Sequence, residues 1–558
     1  MNQLITSAGK NLPEVPWADY PRPQLRRADW LCLNGVWDFS HVHAGELRQG
    51  HITVPFCPES LLSGVDGAPD IGSEMVYARR FSVPAAWQGR HILLHFGAVS
   101  RHCEVELNGA PVITHDNGYL PFAADITALL REGENELRVR AVNDLSHRYP
   151  WGKQKLDRGG MWYMPVSGIW QSVWLEPVPE THIRDIRYET GPDFVTVSVV
   201  PACEGTVLLD GQRAPLTEGN ARLHINNPIL WTPENPHLYG IRIECGKDCV
   251  ESYFALQTLT TETVKGIRRL CLNGKPYFFN GLLDQGYWSD GLYTPADPAA
   301  YGRDILAMKE LGFNTLRKHI KIEPERFYYD CDRLGMIVFQ DMVNCGDYSF
   351  FRDTALPTVN LQRLPDRRLH RDPETRREFL RSMEETVHLL SNHPSICLWT
   401  IFNEGWGQFC ADDAYRKLKS LDSTRFVDST SGWFHQKLSD VDSLHIYFKK
   451  LRLGKEKLPQ VLSEFGGYVY KIPAHSFNPD STYGYRMLKS REDFAAAFRK
   501  LYDKELRPLI SRGLCAAIYT QVSDVEDETN GLLTFDRAEQ KLTAAEIRPL
   551  MDSLQQEL

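Results

Sequence analysis

Residues 396–404 read ICLWTIFNE, a run that is apolar except for Thr400 until it stops on Asn403 and Glu404. Its length and its aromatic and β-branched content suit a buried strand better than a helix. Ahead of it, PETRREFLRSMEETVHLLSNH (373–393) has helical spacing, and MIVFQDM (336–342) is another short apolar strand. The alternation runs back through PERFYYDCDRLG (324–335), FNTLRKH (313–319) and PADPAAYGRDILAMKELG (295–312) to KPYFFNG (275–281). The 295–312 segment is amphipathic, with Ile305, Met308 and Leu311 on one side and Gly312 closing it. Forward of 404, further strands are TRFVDST (424–430), SLHIY (443–447), QVLSEF (460–465) and CAAIYTQ (515–521), with helical stretches at 491–506 and 543–554. Eight strands interleaved with helices predict a (β/α)₈ TIM barrel over residues 264–558.

Upstream the pattern is different. From Trp30 to Pro179, segments such as HILLHFGAV, HCEVELNG, NELRVRAV and QSVWLEPV alternate apolar and polar residues between Gly, Pro, Asn and Asp. This predicts an antiparallel, jelly-roll-like β-sandwich over 1–179. A smaller strand set, IRDIRYET, FVTVSVVP, GTVLLDG and YGIRIEC, predicts an immunoglobulin-like β-sandwich over 180–263. The fold class is therefore multidomain, β followed by α/β.

Composition narrows the function. The 558-residue chain has 24% charged residues and a net charge of -9, with no basic tract interleaved with aromatics, which argues against nucleic acid as a partner. Its apolar runs are too short for a bilayer and its first residues lack a signal-like pattern, so no membrane association and a cytoplasmic location are expected. Twelve cysteines are scattered without the spacing of a zinc site; reduced core thiols are expected, with no metal and no cofactor.

Reacting groups in such barrels sit at the C-terminal ends of strands. Strand four ends in Asn403-Glu404 and strand seven, QVLSEF, in Ser463-Glu464. Burying an unpaired carboxylate is costly, so a glutamate ending an apolar strand is either paired structurally or used. Taken together, the two can face one pocket and flank a sugar, as glycoside hydrolysis requires.

The segment SNHPSICLWTIFNE (391–404) closely resembles the NHPSV…W…NE segment of family 2 glycoside hydrolases, the β-galactosidases, β-glucuronidases and β-mannosidases. SEFG (463–466) resembles that family's nucleophile segment, and SGIWQSVWLE (167–176) the end of its sugar-binding sandwich. The resemblance implies a retaining exo-β-glycosidase with Glu404 as acid/base and Glu464 as nucleophile, Glu404 held protonated and Glu464 ionised. It also implies that Arg317, in an N-x-x-R position, and Tyr447, ending HIY, hold the nucleophile, and that Asn403 binds the sugar 2-hydroxyl.

Asp284 and His319 stand where sugar hydroxyls could be read, although both segments depart from the family pattern. Trp162, Trp288, Trp406 and Trp433 are candidate sugar platforms, each also explicable as core. Tyr519 occupies the place of a pocket-floor tryptophan, and Asp341 reads as a supporting residue. The glucuronidase N-x-K motif reads Asn530-Gly531-Leu532, which favours a neutral sugar, galactose or glucose, unless Lys318, Lys321 or Arg537 meets a carboxylate instead; the resemblance, by family frequency alone, puts a β-galactoside first. The expected partner is a small-molecule glycoside or oligosaccharide, and a homo-oligomer stays open. A carbohydrate-binding protein without turnover is the competing class, disfavoured because both glutamates are intact.

Overall fold

The computed structural model describes residues 2–356, 365–455 and 457–558. The first layer pair is a six-stranded antiparallel sheet, built on Gly35–His43, Glu74–Ser82 and Glu134–Val142, facing a four-stranded sheet that contains His91–Phe96 and Val173–Val178. Its strands alternate inward apolar and outward polar residues, and Trp37, Phe39, Tyr77, Leu94, Val139 and Leu175 form the core between the sheets. A three-stranded sheet (Asp185–Thr190, Phe194–Val200, Asn220–His224) and a four-stranded sheet (Gln212–Leu216, Gly205–Leu209, Tyr239–Cys245, Asp248–Phe254) make the second sandwich.

One expectation fails in this second sandwich: Cys203 and Cys245 form a disulfide, with Cα atoms 6.1 Å apart, while the other ten cysteines are free. The pair is 42 residues apart in sequence, and becomes adjacent only because Gly205 registers opposite Cys245 in the ladder.

The barrel strands are β1 (Phe279–Asp284), β2 (Thr315–Lys318), β3 (Ile337–Asp341), β4 (Ile396–Asn403), β5 (Phe426–Ser431), β6 (Asp442–Ile446), β7 (Gln460–Gly466) and β8 (Leu514–Thr520). They form one parallel sheet in the order 5-4-3-2-1-8-7-6, and β5 and β6 meet through the Val427 and Asp440 backbones and the Ser431–His445 side-chain contact. The helices that cover it include α1 (Ala299–Glu310), α2 (Glu325–Leu334) and α3 (Pro373–Leu390). α3 starts where Asp372 accepts a hydrogen bond from the Thr375 amide with Pro373 in the first turn, and buries Phe379, Met383, Val387 and Leu390.

Strand periodicity sorts the barrel residues. Phe279 and Leu283 on β1, Ile337 and Phe339 on β3, and Ala516 and Ile518 on β8 fill the lumen together with Leu270 and Leu272 of the hairpin Leu259–Val264 and Ile267–Leu272. That hairpin straddles residue 263 and closes the bottom of the barrel. Each of the Phe, Leu and Ile side chains contributes roughly 1.5–3 kcal/mol of burial, which keeps the bottom shut and leaves the C-terminal mouth as the opening. Residues one position over, such as Leu282, Leu316 and Tyr519, face the helices instead. Among the described residues no helix is long and apolar enough to cross a membrane.

Candidate active site

Arg317 ends the lumen-facing row of β2, and its side chain is 1% exposed. Its Nε donates to Asp341 Oδ1 (2.9 Å), Nη2 to Asn403 Oδ1 (2.9 Å), and Nη1 to Ser463 O (3.0 Å) and Glu464 Oε1 (3.1 Å). One guanidinium thereby ties the ends of β2, β3, β4 and β7 together, which its planar fork of donors suits. Burial drives the pKa of Arg317 down, but the carboxylates of Asp341 and Glu464 more than offset this and raise it.

Glu464 is reached because the β7 register shifts between Leu462 and Phe465, so that Phe465 returns to the helix side while Glu464 enters the mouth. Its other oxygen accepts a hydrogen bond from Tyr447 Oη, which lies 3.0 Å from Thr520 Oγ1 on β8. Burial alone would raise the Glu464 pKa; neighbouring His445, Arg317 and His319 and the Tyr447 hydroxyl outweigh it and hold the carboxyl down to about 2.

Glu404 leaves β4 in the left-handed region, φ +52°, an uncommon conformation for a residue with a side chain. Its amide donates to Ser431 O (2.9 Å) and its carbonyl accepts from Trp433 Nε1 (3.0 Å), which holds the turn. Gly407 completes it at φ +66°, where a Cβ would lie 1.9 Å from Cys345 O. Glu404 Oε1 stands 2.8 Å from His445 Nδ1, and one oxygen of Glu404, one oxygen of Glu464 and a ring nitrogen of His445 all lie within 4.8 Å of one another. These three groups have the donor types to hold a divalent ion; the Arg317 guanidinium, bonded to the same Glu464, already supplies positive charge there.

Comparison with known proteins follows the same lines. Residues 263–467 match the family model described as glycosyl hydrolases family 2, TIM barrel domain, and residues 39–200 match the glycosyl hydrolase 2 galactose-binding domain-like model. The chain belongs to glycoside hydrolase family 2. A β-galactosidase from Aeromonas hydrophila is 29% identical over 516 residues, covering 79% of this chain and 47% of its own length. A β-glucuronidase from Canis lupus familiaris is 25% identical over 451 residues, covering 69% of this chain and 65% of the relative. The chain thus spans about half the length of the first of these curated relatives. Among solved structures, the β-D-glucuronidase from Dictyoglomus thermophilum superposes with a TM-score of 0.74 at 19% identity, covering 96% of this chain and 98% of that one. A family 2 β-galacturonidase from Eisenbergiella tayi bound to galacturonate gives 0.68 at 20% identity, covering 96% and 98%.

Glu404, Glu464, Arg317, Tyr447 and Asn403 come together at the mouth. His319 joins them through Asp341, Nδ1 to Oδ2 at 2.8 Å, with burial and then the Lys153 charge lowering its pKa to about 4 against the pull of Asp341. Trp433 sits beside the pair, its ring centroid 5.4 Å from that of His445. Trp406 and Trp162 are stacked on each other at 5.2 Å and buried, so they form a wall rather than an open platform.

Three expectations are corrected. Asp284 lies beside Lys318 in the β1–β2 ladder, both on the row facing the helices, and Lys318 Nζ bonds it at 2.7 Å, away from the carboxylate pair. Burial raises the Asp284 pKa and the Lys318 ammonium lowers it further, so the net direction is down. Tyr519 is 0% exposed, its hydroxyl accepting from the Tyr468 amide and its ring packed on Phe498; the adjacent Thr520 faces the mouth instead. Trp288 packs against Tyr301 with Arg537 4.1 Å over its ring, outside the barrel wall.

His445 was not anticipated. It stands two residues before Tyr447, which lies just past the end of β6, a period-two signal that was available in SLHIY.

Proposed function

We propose that the chain is a retaining, exo-acting β-glycosidase with Glu464 as nucleophile and Glu404 as acid/base. The observation that carries this reading is the approach of the two carboxylates, with oxygens within 4.8 Å of one another. Retaining sites separate the carboxyls by about 5–5.5 Å, whereas inverting sites need about 6.5–9.5 Å to admit a water. Glu464, held ionised by the Arg317 guanidinium and the Tyr447 hydroxyl, attacks the anomeric carbon while Glu404 gives a proton to the leaving oxygen. Glu404 then takes a proton from the water that cleaves the glycosyl ester. Asn403, fixed by Arg317 through its amide oxygen, has an amide nitrogen with no hydrogen bond among the described residues, available to the sugar 2-hydroxyl, a bond that strengthens as oxocarbenium character develops. The Trp162–Trp406 wall supports a closed pocket and hence terminal rather than internal cleavage.

A β-galactoside, expected from sequence, has the names of several relatives in its favour. The test is a panel of nitrophenyl β-galactoside, glucoside, glucuronide, galacturonide and mannoside on the wild type, Glu464→Ala and Glu404→Gln. Glu464→Ala is expected to lose turnover on every substrate, and Glu404→Gln to retain more on activated aryl glycosides, whose leaving groups need little protonation. Proton NMR of the first-formed anomer should show retention; inversion, or equal residual activity in the two variants, would defeat the assignment.

A further inference from the structure

Four lysines are buried among the described residues: Lys153, Lys318, Lys321 and Lys541. Three have carboxylate partners. Lys318 bonds Asp284 at 2.7 Å and Glu323 at 2.8 Å, Lys321 pairs with Glu323 at 2.8 Å, and Lys541 with Asp524 at 2.7 Å. Lys153, 7% exposed, makes no side-chain hydrogen bond or ion pair to any described residue. Its Nζ stands instead over two aromatic faces, 5.6 Å from the Tyr163 ring centroid and 5.9 Å from that of Trp406. Aromatic faces recover part of the cost of burying an ammonium, but much less than a carboxylate does.

Its position is set from outside the barrel. Residues 151–163 leave the first sandwich and lie on the ends of β2 and β3: the Trp151 amide donates to Asn344 O (3.2 Å), its indole to Gly346 O (3.1 Å), and the ring packs with Trp162, Ile320 and Trp406. Trp406 is two residues beyond Glu404, and the Lys153 charge is felt by His319, which in turn interacts with Glu464. The indole Nε1 of Trp406 is a second buried donor without an acceptor among the described residues. This corner of the mouth therefore offers donors and positive charge, and among the described residues no carboxylate bonds to Lys153 or to the Trp406 indole.

The cations weighed from sequence are committed elsewhere. Lys318 and Lys321 are bound as above, and Arg537 bonds Asp304 and Phe535 O beneath Trp288. Leu532, in the place of the family's motif lysine, is 0% exposed in the core.

We propose that Lys153 reads a carboxylate carried by the sugar itself, so that the preferred substrates are β-linked uronides rather than neutral hexosides. This rests on the glycosidase reading of the Glu404–Glu464 site. A charge-assisted bond from a desolvated ammonium suits one carboxylate, whereas a phosphate would call for a cluster of cations.

The experiment compares kcat and KM for nitrophenyl β-glucuronide, β-galacturonide, the matched glucoside and galactoside, and a 6-phosphogalactoside, on the wild type, Lys153→Met and Lys153→Arg. The wild type should favour one uronide over its matched hexoside by about 100-fold or more in kcat/KM. Lys153→Met should cut that ratio by about 30-fold, chiefly through KM, as expected for one lost charge-assisted bond, and Lys153→Arg should restore part of it. Competition by free galacturonate or glucuronate against galactose or glucose on the wild type gives the same answer without a variant that has to fold. A wild type that prefers a neutral hexoside or the 6-phosphate, or a ratio unmoved in Lys153→Met, overturns the proposal while leaving the glycosidase standing. Inactivity on every glycoside instead overturns the glycosidase reading.

Discussion

His445 Nδ1 stands 2.8 Å from Glu404 Oε1, while the same ring nitrogen is 3.6 Å from Glu464 Oε2. Its other nitrogen, Nε2, faces Arg317 Nη1 at 3.5 Å and Ser431 Oγ at 2.8 Å. A guanidinium can only donate, so the ring meets a donor on its Nε2 side and a carboxylate on its Nδ1 side. The imidazole thereby couples Glu404 to Arg317 and, through it, to Glu464. His445→Phe should lower kcat by about 10- to 100-fold and change the shape of the pH–rate profile, with a smaller effect on KM. A profile superposable on the wild type would limit His445 to packing.

Tyr447→Phe removes one hydroxyl and little else. The ring stacks on Tyr485 at a centroid distance of 3.7 Å, an arrangement phenylalanine can keep. The variant should unfold within about 1 kcal/mol of the wild type in denaturant, yet lose about 10-fold or more in kcat, because Glu464 gives up a donor that orients and stabilises its charge. A large loss of stability with unchanged kcat would reverse that assignment.

What was legible in the sequence, and what was not, follows from how far each signal reaches. Arg317, Asn403, Glu404 and Glu464 lie in contiguous motifs at strand ends, and one strand's apolar run predicts which end is the mouth. Asp284 and Tyr519 also lie at strand ends, but period-two alternation puts each on the helix-facing row, and deciding the phase of a fully buried barrel strand needs its neighbours. Lys153 and the Cys203–Cys245 pair depend on contacts across domains or between strands distant in sequence, where no local periodicity carries information.

The disulfide provides a separate check. Crosslinking residues 42 apart constrains the unfolded second sandwich by up to about 4 kcal/mol in the chain-entropy view. Cys203→Ser with Cys245→Ser, or a reductant, should lower the unfolding temperature while leaving initial rates on the preferred substrate within about two-fold, because the described side chains that bond Glu404, Glu464 and Arg317 all belong to the barrel. A reductant-insensitive unfolding temperature would mean that the pair contributes nothing to stability.

Arg317 links stability, charge state and chemistry, and its removal makes the sharpest forecast. Arg317→Met leaves Asp341 and Glu464 buried without their shared cation, a change that typically costs about 3–5 kcal/mol. The sign of the pH effect follows from Glu464: its folded carboxyl is held down to about 2, below the unfolded value, so its ionisation adds stability above the unfolded pKa of about 4.3 and that contribution is lost as pH falls toward 2. Without the guanidinium the folded pKa rises, the window between the two values narrows, and stability between pH 5 and pH 2 should fall less steeply than in the wild type. In the same variant the acidic limb of kcat/KM should move to higher pH, because a nucleophile that ionises later is protonated over more of the acid range. Urea titrations and kcat/KM measured across that range test both consequences; an unmoved acidic limb would mean that Arg317 holds the strands together without setting the charge of Glu464.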